Sequence, residues 1–77
     1  MLKSEITKWG TEILKTVFAG VLKSDDKEVW KKAISFMDSK IQQLEATTRG
    51  EDMFFWRNAK FQMLNKFGKK FIKKPTL

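Results

Sequence analysis

A chain of 77 residues is one domain's worth of structure, and 16 Lys and Arg against 9 Asp and Glu leave it a formal charge of +7. The absence of His, Cys and Tyr removes the commonest general base, the usual zinc ligands and every thiol, and with them hydrolase triads, zinc fingers and thiol redox centres. At 42% apolar and 13% aromatic the composition can supply a core, but a chain this short buries only about 60–65% of its unfolded surface and must rely on helix packing or on a partner.

The opening residues, Met1 to Ile6, build no apolar leader, and no run approaches a membrane span, so a soluble, cytoplasmic protein is expected. Apolar spacing near 3.6 then predicts a first helix over about 4–22. Ile6, Trp9, Ile13, Leu14, Val17, Phe18, Val21 and Leu22 form its broad inner face. Gly10 and Gly20 lie within or beside that face, which lowers helix propensity but lets a second helix come close.

Ser24-Asp25-Asp26 supplies capping side chains, and Asp25 with Glu28 has capping-box spacing, so a second helix is expected over about 26–46. Its stripe is Val29, Trp30, Ala33, Ile34, Met37, Ile41 and Leu44. Lys40 interrupts it, with a stem that can lie along apolar surface while the ammonium reaches water. Thr47-Thr48-Arg49-Gly50 marks the next break, Thr48 and Glu51 are spaced as another capping box, and a third helix follows over about 51–71. Residues 72–77, with Pro75, read as a frayed tail. Short connections favour antiparallel neighbours, so the expected fold is all-α: an up-down-up three-helix bundle in one domain.

The third helix carries more apolar surface than a bundle requires. Met53, Trp56, Ala59, Met63, Leu64, Phe67 and Phe71 fill one arc, which accounts for packing. Phe54, Phe61 and Ile72 form a second stripe, and Phe55 stands alone near the polar side. The second stripe is an expected interface, including one between two copies of the chain, unless the helix sinks into a groove that buries both stripes. Trp9, Trp30 and Trp56, one per helix, are expected as core anchors.

Charge is unevenly distributed. Residues 1–48 carry 8 Lys and 7 acids, a net of +1, whereas residues 49–77 carry 8 Lys and Arg and 2 acids, a net of +6. Arg57, Lys60, Lys66, Lys69, Lys70, Lys73 and Lys74 follow Asp52 with no acid between them, which suits phosphate or an acidic protein surface. Catalysis is not expected, because the hydroxyls have no His to activate them. No metal or other cofactor is expected either: Asp25-Asp26-Lys27-Glu28 lacks a calcium-loop pattern, and the glycines have no phosphate-loop spacing. The residues therefore suggest a small non-enzymatic binder, of the kind phages and mobile elements encode. Nucleic acid bound through phosphates is its leading partner class, ahead of a role as a protein-binding inhibitor or adaptor. A membrane-surface role, with Phe71 and Ile72 beneath a lysine collar, stands third.

Overall fold

Four helices carry the chain in the computed structural model, which describes residues 2–47 and 50–72. They are α1 (Lys3–Val17), α2 (Ala19–Lys23), α3 (Lys27–Glu45) and α4 (Gly50–Phe71). The described residues contain no strand. The second and third expected helices lie within a residue or two of their predicted bounds, but the first is broken at Phe18.

The break has a local cause. Phe18 leaves helical geometry, at φ −114° and ψ 22°, between β-branched Val17 and the weak helix former Gly20. Its ring is buried against Phe36 and Trp56, with centroids 6.1 and 6.0 Å away. Packing of one aromatic side chain thus takes precedence over a continuous helix. Nothing lies within 4 Å of a Cβ placed on Gly20, so that glycine is not a close-approach site.

The turn into α3 is tied down by side chains. Asp26, not Asp25, is the cap: its Oδ1 accepts the Glu28 N–H at 2.9 Å, while Ser24 Oγ accepts the Asp26 N–H at 3.0 Å. Asp25 is drawn outward to the ammonium of Lys70, 3.0 Å away. The Trp30 indole N–H donates to the Ser24 carbonyl at 2.8 Å, fixing the turn to the core. At the far end of α3, Thr47 Oγ1 donates to the Leu44 carbonyl at 2.9 Å. The capping-box residue Thr48, Arg49 and the tail from Lys73 lie outside the described residues.

α4 packs against both α1 and α3, while α2 bridges α1 and α3. The α3 and α4 helices run antiparallel, because Trp30 meets Phe71, Asp38 meets Lys60 and Glu45 meets Arg57. Leu14, Phe18, Trp30, Ala33, Met37, Ala59 and Met63 form the shared core. Each fully buried large side chain among them stabilises the fold by about 1.5–3 kcal/mol.

α1 lies across α4 at Gly10. A Cβ at that position would sit 3.0 Å from the Ala59 backbone nitrogen, so only glycine allows this approach. Gln62 of α4 reaches the flank of α1, donating to the Thr7 carbonyl at 3.3 Å and accepting from Thr11 Oγ1 at 3.2 Å. Because Gly10 takes the contact position, Trp9 is turned to the edge. It is 50% exposed, against 2% for Trp30, and stacks at a tilt on Phe55 with centroids 6.1 Å apart. Trp9 is therefore not a core anchor, and Phe55 does not stand alone. Trp56 is half-buried beside the core, with the Lys40 ammonium 6.0 Å from its ring centroid.

Candidate interaction surface

α4, with Ile72 just past its end, holds every described residue of the expected site, because its two inner faces are committed to α1 and α3 and its third face is left to solvent. Phe54, Phe61 and Ile72 project from that outward face with 44, 64 and 52% of their surface exposed, and Leu64 joins them at 43%. The second stripe is thus not buried in a groove. Leu64 belongs to it and not to the core arc, since residues 57, 64 and 71 drift steadily around a 3.6-residue helix and only Phe71 still meets Trp30. Each side chain stands about two turns or less from the next along α4, except across Gly68. The four together expose roughly 400 Å² of apolar surface, as large as the biggest patch on a typical monomer.

The basic residues do not act as one patch. Arg57 donates to Glu45 Oε1 at 2.8 Å, Lys60 pairs with Asp38, and Lys70 pairs with Asp25 while lying 5.5 Å from the Trp30 ring centroid. These three cations cross to acids on α3 or on the turn before it. No acid separates them in sequence, but the antiparallel fold brings acids alongside. Each such pair, being partly solvated, is worth about 0.2–1 kcal/mol. Lys66 and Lys69 are exposed and have no acid partner among the described residues. Lys73 and Lys74 lie outside the described residues.

A second apolar area escaped the sequence reading. Val17, Phe18 and Val21 face Val29, Ala33 and Phe36 across a shallow groove, with Lys32 at its edge. Phe36 is half-exposed, edge-on to Phe18. The signal was present in the i, i+4, i+7 spacing of Val29, Ala33 and Phe36, but the break at Phe18 that opens the groove was not visible.

Among the described residues no three acidic side chains converge on a metal-sized space, and no helix is long and apolar enough to cross a membrane. Comparison with protein-family models, with curated proteins and with solved structures returned no match.

Proposed function

We propose that this chain is a small non-enzymatic binding protein that acts as an inhibitor or adaptor, engaging a protein partner through the outward face of α4. The observation that carries the reading is the exposure of Phe54, Phe61, Leu64 and Ile72 along one side of α4, while Arg57, Lys60 and Lys70 are engaged by acids within the chain. Such a face suits helix-to-helix or helix-in-groove docking, with apolar anchors at the centre and lysines at the rim steering the encounter. The up-down-up course belongs to the same proposal: α1 and α2 form one bent leg, and the antiparallel α3–α4 pair supports the other two. Phe61→Asp and Ile72→Asp, each checked for helical content, are expected to abolish capture of the partner from the native host. Equal capture by wild type and both variants overturns the reading.

Nucleic acid is the second reading, favoured by Lys66 and Lys69, which have no acid partner among the described residues and lie on the segment that carries a net of +6. Contacts of this kind are to phosphate, weakly specific and steeply salt-dependent. Fluorescence anisotropy with generic single- and double-stranded oligonucleotides tests it. Binding at low salt that disappears in Lys66→Gln/Lys69→Gln supports it, and no binding at low salt ends it.

A further inference from the structure

The outward face of α4 is complementary to itself. Phe61 lies at its middle, Phe54 stands seven residues before it and Gly68 seven residues after, a spacing that keeps all three on one side of a helix. Two copies of α4 packed antiparallel about a two-fold axis through Phe61 would put each Phe54 over the partner's Gly68. A large side chain thus meets an open glycine twice, once on each side of the axis, as in a self-complementary isologous interface.

The charges agree with that register. Glu51 and Lys69 are 18 residues apart, five helical turns, and so share one flank at opposite ends of α4. In an antiparallel pair related by a two-fold axis, like flanks face each other, and each Glu51 meets the partner's Lys69. Both side chains are exposed, and neither has an ion-pair partner among the described residues. A parallel pairing would instead set the two copies of this flank on opposite sides of the seam, with Glu51 and Lys69 at opposite ends of the pair, and would form neither contact.

We infer that the occupant of this face is a second copy of the chain, giving an antiparallel α4–α4 homodimer centred on Phe61. This rests on the reading of the outward face of α4 as the working surface, and makes self-association a competitor of any other protein that docks there. The apolar area buried, roughly 800 Å² for the pair, lies below the ~1,200 Å² of standard stable interfaces. The dimer is accordingly weak, with half-association in the micromolar range or above.

Sedimentation equilibrium from about 10 µM to 1 mM tests it. Wild type should move with concentration from the 9.1 kDa monomer towards twice that mass. Gly68→Leu should raise the dissociation constant at least tenfold without disturbing the monomer, because nothing lies within 4 Å of a Cβ there. Glu51→Lys should weaken the dimer, and Glu51→Lys with Lys69→Glu should restore it. A wild type that stays monomeric throughout overturns the inference, as does a dimer indifferent to Gly68→Leu. The face reading fails separately, when Phe61→Asp changes neither the mass nor the capture of a host protein.

Discussion

Gly10→Ala sets two opposed effects of known size against each other. Alanine favours the helix by about 1 kcal/mol through propensity alone. Against that gain, the new Cβ would stand 3.0 Å from the Ala59 nitrogen and closer still to Asn58 Oδ1, where ordinary contact begins near 3.4 Å. The Asn58 side chain can swing away only by giving up the bond it accepts from Gln62 Nε2 at 2.6 Å, which helps hold Gln62 against α1. The Ala59 nitrogen is backbone and moves only with α4. Overpacking of this kind costs about 1–3 kcal/mol, and a lost hydrogen bond about 1 kcal/mol more. The packing cost wins, and Gly10→Ala should lower stability by about 1–3 kcal/mol. At roughly 4–8 °C per kcal/mol for a domain of this size, the fall in Tm is readily measured. Gly20→Ala is the matched control: with open space around the new methyl, it should gain up to about 1 kcal/mol. Urea denaturation followed by far-ultraviolet circular dichroism measures both. A Gly10→Ala protein as stable as Gly20→Ala would refute the close crossing of α1 and α4.

Other substitutions probe the remaining joints. Trp30→Ala should cost about 3–5 kcal/mol, and Trp9→Ala, at a half-exposed edge, clearly less; equal losses in thermal melts would contradict the assignment of their roles. Asp26→Ala should cost about 0.5–2 kcal/mol through the lost cap, whereas Asp25→Ala removes only an exposed partner of Lys70. Denaturation of the two variants side by side decides which aspartate caps α3. Lys60→Met and Arg57→Met should each change stability by less than about 1 kcal/mol, and any larger loss in a urea melt would mean that the α3–α4 ion pairs are not the solvated contacts described.

Much of this fold is written in local spacing, and the exceptions share a cause. The stripe Trp30, Ala33, Met37, Ile41 and Leu44 is buried as its period demands, and the start expected for the second helix falls within a residue of that of α3. Trp9, Leu64 and Phe18 depart from expectation because each depends on how another helix crosses, which periodicity within one segment does not encode. Gly10 decides the fate of Trp9 by taking the contact for itself. Phe54, Phe61 and Ile72 were legible as surplus apolar surface once a core arc had been assigned. The basic site was read least well: charge counted along the chain places Arg57, Lys60 and Lys70 in one uncompensated run, whereas charge counted across the α3–α4 pair finds Glu45, Asp38 and Asp25 beside them.

The central place of α4 also links recognition to folding. The helix that both α1 and α3 lean on is the one that offers its third face outward, so a ligand on that face binds only where the whole bundle is formed. By mass action a ligand at a hundred times its dissociation constant adds about 2.7 kcal/mol to the unfolding free energy, a large increment for a domain of this size. A thermal-shift screen against candidate macromolecules can therefore find the partner without any assay of its activity, with the chain itself as the reporter.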